Sequence, residues 1–400
     1  MKKCSFLMAT NLNVWSLSKG SGAPSFFKTL ELYNQKGHKV YLYSTEPENP
    51  VSELINVKFV RLPKLSNCSV PKISNLIRIV NYFLNQVIFL YFVARNNHKA
   101  DLLYAYEIEF VPAMKLLSWF RKIPLVTRFQ GTILHPLLKS RFWRIRFFPH
   151  YMSLKLRSNL TIMTNDGTKG DVVLSQIRGA NQGEQLFLFN GADRRTFDLT
   201  NVSDRIKSIA QRKRDYDFIS VSRLEKWKRV DRSIEVFKRV HKVIQNSRLL
   251  IVGDGNCLEE LSLKIEKEGL SSCVSFIGSI NRDEADFLMA NSDVFLSHYE
   301  LSNVGNPLWE ALCRECLVVT IKNGDTGEVI EDGLNGIISE ELNYLDNSRK
   351  IIEVIQNKQI NSIQKRGCET YSKLTVSWDE RMEQEYSRVA QLLRNKIKVS

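Results

Sequence analysis

Short apolar runs alternate with amphipathic stretches along the first half of the chain. The runs have the length of buried strands, and the stretches between them repeat their apolar residues with the period of a helix. Strands separated by helices are typical of βαβ units, so we predict a parallel sheet across residues 1–200. The predicted strands are residues 5–10, 39–44, 102–106 and 124–128, and the first predicted helix is residues 25–36.

The same alternation returns in the second half. A polar, charged run at residues 201–214 separates the halves and predicts the domain boundary. Two parallel α/β sheets in tandem are expected to bind a ligand between them, at the carboxyl ends of their strands. The predicted strands are residues 217–222, 248–253, 274–278, 293–297 and 317–321, and the predicted helices include residues 230–243 and 282–290.

The stretch from residue 299 to residue 336 is the most informative. A turn rich in Gly and Asn, residues 302–306, precedes a predicted helix that Pro307 can begin. Free backbone N–H groups and the positive end of a helix suit a phosphorylated ligand. We place Glu310 in the first helical turn, where it could accept hydrogen bonds from ligand hydroxyls. The alternative is an ordinary loop–helix unit.

A second candidate group follows the predicted strand at residues 217–222. The loop after it carries Arg223 and Lys228. Two cations at the carboxyl end of a strand could neutralise a diphosphate, since Arg offers a planar fork and Lys a point charge. The alternative interpretation is a solvated basic loop.

The net charge of +14 is unevenly distributed. Residues 1–200 carry +15 and residues 201–400 carry −1. The first half is therefore expected to face an anionic partner: a membrane surface, an acidic substrate or nucleic acid.

Residues 137–157 interleave six basic residues with five large aromatic residues. Such a segment suits an anionic membrane interface, single-stranded nucleic acid, or an ordinary helix with buried rings and solvated charges. The apolar residues 76–94 contain four polar residues, which favours a core-packed helix over a membrane span.

Seven scattered cysteines indicate a reducing compartment. Cys313 and Cys316 are interpreted as helix residues, because no second Cys or His pair lies near them in the sequence. The start of the chain is better explained as a first strand than as a signal peptide.

The second-half motifs resemble, in order and spacing, those of the GT-B-fold retaining nucleotide-sugar glycosyltransferases of family 4 (glycosyl transferases group 1). Residues 222–228, Ser-Arg-Leu-Glu-Lys-Trp-Lys, resemble the family's G-R-L-x-x-x-K, and residues 306–311 resemble its donor-site helix. The first half resembles the family more weakly. The other matching segments are residues 20–22, 37–40, 190–193, 250–255, 274–278, 292–297, 328–336 and 377–379.

The resemblance implies an α/β GT-B fold, with two Rossmann-like domains facing a cleft. Residues 1–200 would bind the acceptor and residues 201–375 the nucleotide-sugar, while a helix in residues 376–400 would cross back to the first domain. Arg223 and Lys228 would hold the donor diphosphate and stabilise the leaving charge, and Glu310 would bind ribose hydroxyls. Further donor-binding residues would be Gly20, Gly22, Gly253, Asn303, Val304, Gly305 and Asn306.

Three residues depart from the family's pattern. Ser302 stands where the family often has a catalytic carboxylate, and Glu300 could replace it only if the loop path differs. Gln130, on the acceptor and sugar side, replaces a His, and Arg229 replaces a Gly. Ser302 and Gln130 leave open a different donor sugar, or an inactive member that binds a nucleotide or glycan.

We therefore predict an enzyme that moves a sugar from a nucleotide-sugar to a saccharide or lipid-linked saccharide, with retention, in surface polysaccharide or lipopolysaccharide biosynthesis. No cofactor, metal or nucleic acid is expected. Its basic half would attach it peripherally to the anionic inner face of the cell membrane, on the cytoplasmic side.

Overall fold

The computed structural model describes residues 3–11, 25–47, 49, 51–65, 71–179, 183–193, 197–212 and 214–399, with only the backbone at 71–75 and 395–399. The chain divides into two compact units. The first unit comprises Met1–Asn165, Lys169–Phe189 and Trp378–Ser400, and the second comprises Asp166–Thr168 and Asn190–Ser377. The acceptor and donor roles given to residues 1–200 and 201–375 stay predictions.

The described residues of the first 200 positions contain seven strands and six α-helices. The strands are β1 (Ser5–Thr10), β2 (Lys39–Ser44), β3 (Val57–Arg61), β4 (Leu102–Tyr106), β5 (Leu125–Phe129), β6 (Leu160–Thr164) and β7 (Gln185–Leu188). The helices are α1 (Ser25–Gln35), α2 (Pro71–Asn96), α3 (Val111–Arg121), α4 (Trp143–Arg146), α5 (Phe148–Lys155) and α6 (Gly170–Arg178).

The described residues after position 200 contain six strands and nine α-helices. The strands are β8 (Tyr216–Val221), β9 (Ser247–Val252), β10 (Val274–Gly278), β11 (Val294–Ser297), β12 (Leu317–Lys322) and β13 (Ile337–Glu340). The helices are α7 (Asp204–Gln211), α8 (Val230–His241), α9 (Leu258–Lys267), α10 (Arg282–Ala290), α11 (Asn306–Cys313), α12 (Thr326–Val329), α13 (Asp346–Gln356), α14 (Ile360–Leu374) and α15 (Trp378–Val399).

Each unit is built on one parallel sheet. The first sheet has the order β3-β2-β1-β4-β5-β6-β7, and the second has the order β10-β9-β8-β11-β12-β13. Neighbouring strands in both sheets run parallel. The prediction of two parallel-sheet, Rossmann-like domains is confirmed.

The central strands are buried on both faces, which explains their continuous apolar sequences. Leu7 and Ala9 pack on one side of the first sheet, and Phe6 and Met8 pack on the other. Each fully buried Leu, Met or Phe stabilises the fold by about 1.5–3 kcal/mol relative to an exposed side chain. The sequence-based bounds of β1, β2 and β4 agree with the structure.

The long helix α2 is packed on one face only. Tyr82, Phe89 and Val93 are buried, whereas the other face exposes an apolar stripe to solvent. The expectation of a core-packed helix is therefore only half correct. Within the described part of the chain, the segment Leu76–Asn96 is long and apolar enough to cross a membrane by length and composition, and 22% of its apolar 18-residue window is buried. The apolar stripe consists of Leu76, Val80, Phe83, Leu84, Val87 and Tyr91.

The first unit buries a group of three charges where α15 packs. Arg128 and Arg381 are both fully buried, and Glu385 lies between them. Glu385 forms an ion pair with Arg381, and its Oε1 lies 3.4 Å from Nε of Arg128. Burial and the charge of Arg128 lower the pKa of Arg381 to about 9. One carboxylate therefore compensates two guanidinium groups.

Replacing Glu385 with Ala should destabilise the protein by about 3–5 kcal/mol, because two buried cations lose their shared counterion. Urea unfolding of the full chain measures this effect. The matched control is Glu383→Ala on the same helix, which removes a partly exposed ion pair with Lys36 and should cost less than about 1 kcal/mol. Equal stability of the two variants would contradict the compensating role of Glu385.

Candidate functional site

Three segments of the second unit meet beside the ends of β8 and β11. The cation loop (residues 222–229) follows β8, and the turn at residues 302–306 lies beyond β11. Because β8 and β11 are parallel neighbours, their carboxyl ends emerge at the same edge of the sheet. The third segment, the Asp166 loop (Asp166–Thr168), packs with this unit although it follows β6 of the first sheet.

The cation loop brings Arg223 and Lys228 around one aromatic side chain. The Lys228 ammonium lies 4.2 Å from the Trp227 ring centre, and the Arg223 guanidinium lies 5.8 Å from it. The ammonium also lies 3.8 Å from the ring centre of Tyr299. A backbone hydrogen bond of 2.9 Å from the N–H of Glu300 to the carbonyl of Trp227 joins the loops after β8 and β11.

The surroundings of Lys228 disfavour its positive charge. Burial and the positive charge of Arg223 lower its pKa to about 7, and the charge of Asp166 acts in the opposite direction. Two aromatic faces stabilise the ammonium only in part. An anion bound beside Lys228 and Arg223 would stabilise both cations.

Arg229 occupies a backbone conformation that favours glycine, with φ of +47°. Its guanidinium is paired with Asp231 at 2.9 Å and with Glu300 at 2.6 Å. Glu300 also lies 3.6 Å from Arg232. Glu300 is thus engaged by two arginines near the start of α8, and it does not replace the carboxylate that is missing at Ser302.

The turn at residues 302–306 is partly occupied by the Asp166 loop. The N–H of Val304 donates to the carbonyl of Asp166 at 3.1 Å, so it is not open to a ligand as the sequence predicted. The Asn303 side chain donates to the carbonyl of Tyr299 at 2.6 Å. Gly305 directly precedes α11.

The first residue of α11, Asn306, is also fixed by a side-chain contact. Its Oδ1 accepts a hydrogen bond of 2.9 Å from Nδ2 of Asn190. Glu310 is the fifth residue of the helix, so its predicted place in the first turn is wrong because the helix begins at Asn306.

Glu310 is half-buried beside a cation. Nη2 of Arg282 donates to it at 3.2 Å. Burial raises the pKa of Glu310 to about 7, and the charge of Arg282 opposes this shift. A ligand hydroxyl could share this carboxylate with Arg282.

The other predicted donor-site residues have different surroundings. Gly253 has φ of +126°, and a Cβ there would lie 1.9 Å from the carbonyl oxygen of Ser222, so the close approach that supports the cation loop requires glycine. Gly20 and Gly22 lie outside the described residues.

Gln130 belongs to the first unit and follows β5. Its Nε2 donates to Oγ of Ser25 at 2.9 Å and to the hydroxyl of Tyr106 at 3.1 Å. These bonds join the ends of β4 and β5 to the start of α1. The predicted role of Gln130 on the acceptor side stays a prediction.

The sequence of the second unit matches a known family. Residues 202–371 match the family described as glycosyl transferases group 1. This match covers less than half of the chain. The matched segment contains Arg223, Lys228 and Glu310, in the order and spacing expected from the sequence.

Two curated relatives match part of the chain. An uncharacterized glycosyltransferase of Methanocaldococcus jannaschii is 28% identical over 177 residues, which are 44% of this chain and 45% of the relative. The alpha-monoglucosyldiacylglycerol synthase of Acholeplasma laidlawii is 24% identical over 202 residues, 49% of this chain and 50% of the relative. The chain spans about half the length of these relatives.

Solved structures agree with the fold over nearly the whole chain. The crystal structure of the Anabaena protein HepE in complex with UDP-glucose superposes with a TM-score of 0.72 and 17% sequence identity, covering 96% of this chain and 100% of that one. The two sheets of this chain, together with such neighbours, establish the GT-B fold.

Three residues near the group 1 motifs were not predicted from the sequence: Asp166, Trp227 and Tyr299. Trp227 lies between the two lysines of the cation loop, and Tyr299 immediately precedes Glu300, so proximity to the motifs could have indicated both. Asp166 carries only the local signal of an Asp-Gly turn after a strand.

The Asp166 loop fits against its neighbours so closely that Gly324 cannot carry a side chain. A Cβ at Gly324 would lie 1.8 Å from the carbonyl oxygen of Gly167, and φ there is +57°. We predict that Gly324→Ala destabilises the protein by about 2–3 kcal/mol, through this clash and backbone strain. Chemical denaturation provides the measurement.

The matched control is Gly327→Ala, three residues later in α12. The nearest atom to a Cβ at Gly327 is Cγ of Lys322, at 3.8 Å. This variant should change stability by less than about 1 kcal/mol. If both variants unfolded alike, the packing of the Asp166 loop would not be the cause.

Proposed function

We propose that this protein transfers a sugar from a nucleotide-sugar to a saccharide or lipid-linked saccharide acceptor, with retention of configuration. The observation that carries this proposal is the convergence of Arg223 and Lys228 around Trp227, within the segment that matches glycosyl transferases group 1. Fixed cations at this place would stabilise the charge that develops on a departing diphosphate. The depressed pKa of Lys228 supports such a role, since a diphosphate would supply the missing counter-charge.

The donor and the pathway are part of the same proposal. HepE was crystallised with UDP-glucose, so UDP-sugars are the first donors to test. The resemblance to family 4 supports retention and a reaction that uses no metal. We propose a role in surface polysaccharide or lipopolysaccharide assembly, which fits a basic protein that acts on lipid-linked saccharides.

A catalytically inactive nucleotide- or glycan-binding protein is the second candidate. The serine at position 302, in place of the family's carboxylate, favours it. The two candidates differ in turnover, because a pure binder raises its melting temperature with a nucleotide but converts no nucleotide-sugar.

Replacing Arg223 or Lys228 with Ala should lower kcat/KM for sugar transfer by at least about a hundredfold, because each change removes a charge from the diphosphate site. Transfer assays with UDP-, GDP- and ADP-sugars measure this, after a thermal-shift panel has identified the nucleotide. The matched control is Lys226→Ala, which removes an exposed lysine from the same loop. Near-normal turnover in either test variant would contradict the diphosphate assignment.

We further propose that the first unit attaches peripherally to the anionic inner face of the cell membrane, from the cytoplasm. The apolar stripe of α2 supports this attachment, since its six exposed side chains recur along one helix face. Trp119 and Phe120 at the end of α3 are also exposed, by 71% and 68%. Apolar surface of this extent is uncommon on a protein surface that faces only water.

The basic aromatic segment at residues 137–157 lies against the same helix. Nη2 of Arg78 in α2 donates to the carbonyl of Arg146 at 2.7 Å, and the rings of Phe83 and Phe148 are 5.7 Å apart. Arg141 and Arg144 stack on aromatic rings of the segment. Basic groups beside an apolar stripe suit anionic lipid headgroups above an acyl layer.

Changing Arg141, Arg144 and Arg146 together to Glu should release the protein from vesicles that contain phosphatidylglycerol. Each basic residue near such a surface contributes about 1 kcal/mol, so the reversal of three charges should abolish sedimentation with the vesicles. A control with the same change in net charge replaces the exposed Lys242, Lys267 and Lys358 of the second unit with Glu. Unchanged sedimentation of the first variant would count against this surface.

A further inference from the structure

The carboxylate of Asp166 is the acidic group that meets the turn at residues 302–306 and that the proposed function has not yet used. Its Oδ2 accepts a hydrogen bond of 2.9 Å from Oγ of Ser302, and its Oδ1 accepts one of 2.6 Å from Oγ1 of Thr168. Its carbonyl accepts from the N–H of Val304 at 3.1 Å. Side chain and backbone are therefore both fixed against the turn.

The backbone of the Asp166 loop is closely packed against its neighbours. A Cβ at Gly167 would lie 2.9 Å from the backbone nitrogen of Asn303. On the other side of the loop, a Cβ at Gly324 would lie 1.8 Å from the carbonyl oxygen of Gly167. The loop is thus held by backbone atoms of two neighbouring segments. Surface loops are seldom packed so closely that two positions require glycine, so this loop has a fixed conformation.

Asp166 also acts electrostatically on the proposed diphosphate site. Burial raises its pKa to about 6, and the hydrogen bonds from Thr168 and Ser302 oppose that shift. The ionised carboxylate in turn raises the pKa of Lys228. The two groups are also linked structurally, because the turn that binds Asp166 is joined through Asn303 to Tyr299, whose ring centre lies 3.8 Å from the Lys228 ammonium.

The conformation of Ser302 explains why a residue distant in the sequence can supply the carboxylate at this turn. Ser302 has φ of +58°, a conformation that few residues other than glycine adopt without strain. Its hydroxyl touches the Asp166 carboxylate, so an acidic side chain at position 302 would reach the same space. Asp166 therefore stands where a carboxylate on the turn would otherwise be.

We propose that Asp166 supplies the carboxylate of the donor site and accepts a hydrogen bond from a hydroxyl of the donor sugar, with Ser302 as its positioning residue. This inference rests on the proposed function. The sugar is bonded directly to the diphosphate that Lys228 would bind, so a carboxylate on the neighbouring turn would lie near the hydroxyls of the sugar. The hydroxyls of Ser302 and Thr168 donate to different oxygens of this carboxylate, and Asp166 is only partly buried, so part of the residue stays accessible to a ligand.

The carboxylate also distinguishes nucleotide-sugars from free nucleoside diphosphates. A nucleoside diphosphate lacks the hydroxyls that Asp166 would bind and carries more negative charge on its terminal phosphate. Asp166 therefore favours the nucleotide-sugar and disfavours the free diphosphate. This selectivity is a property that a residue with a merely structural role would not have.

The test compares the binding of UDP-glucose and UDP to wild-type protein and Asp166→Asn by calorimetry. The ratio of the affinity for UDP-glucose to that for UDP should fall by at least about tenfold, because a charged hydrogen-bond acceptor is lost. UDP should bind as tightly as before or more tightly, which also shows that the variant is folded. If the wild-type protein prefers guanosine or adenosine, GDP-mannose with GDP or ADP-glucose with ADP is used.

Two further variants keep the inference falsifiable. Ser302→Ala, which leaves the Asp166 carboxylate in place, should lower the same ratio by a smaller factor. Asp166→Asn combined with Ser302→Asp returns a carboxylate to the turn and should restore part of the ratio. The control Asp171→Asn neutralises an exposed carboxylate five residues later and should leave the ratio unchanged.

The outcomes separate this inference from the proposed function. A wild-type protein that binds none of the nucleotides or nucleotide-sugars would overturn the proposed function and this inference with it. A wild-type protein that binds UDP-glucose, with the same ratio in Asp166→Asn, would overturn the role of Asp166 alone.

Discussion

The positive charge of Lys228 is the feature on which the candidate site depends. The ammonium lies against the rings of Trp227 and Tyr299, and the neighbouring Arg223 repels it. Cation–π contacts supply about 0.5–2 kcal/mol, which offsets only part of the cost of removing a lysine from water. The site therefore holds a charge that is incompletely compensated by the protein itself. A phosphorylated ligand would complete the compensation, so the electrostatic imbalance that costs stability would provide affinity for such a ligand.

Two departures from the family's sequence pattern are connected through their surroundings. Arg229 takes a left-handed conformation that would suit glycine, at a cost of about 1–3 kcal/mol, and its ion pairs with Asp231 and Glu300 offset this strain. The ion pair with Arg229 also occupies Glu300, so the Glu300 carboxylate does not contact a ligand at the turn of residues 302–306. Asp166 instead reaches the turn through Ser302. A glycine replaced by arginine in one loop and a carboxylate replaced by serine in the next are thus compatible changes.

The sequence predicted those features that depend on neighbouring residues. β1 was predicted because a strand buried on both faces is a continuous apolar run, and β2 because its residues alternate like those of a strand. Arg223 and Lys228 were recognised from one loop and its spacing. Asp166 was not, because 136 residues separate it from Ser302 and their contact is created only by folding. The edge strand β7 was missed because it has only four residues, too short a run to stand out in the sequence, and none of them is fully buried.

The first unit reverses the usual distribution of charge and apolar surface. It buries Arg128, Arg381 and Glu385 together, although only one carboxylate compensates two cations, and it exposes the apolar stripe of α2. Amphipathic periodicity could not predict the stripe, because α2 is apolar on both faces and the sequence does not say which face the core covers. In water alone, partly exposed side chains such as Phe83 and Val87 gain only part of the stabilisation that full burial provides, about 1.5–3 kcal/mol each. Beside the basic aromatic segment, the same side chains form a surface suited to an anionic bilayer. The proposed membrane attachment therefore gives a physical reason for an arrangement that folding alone does not require.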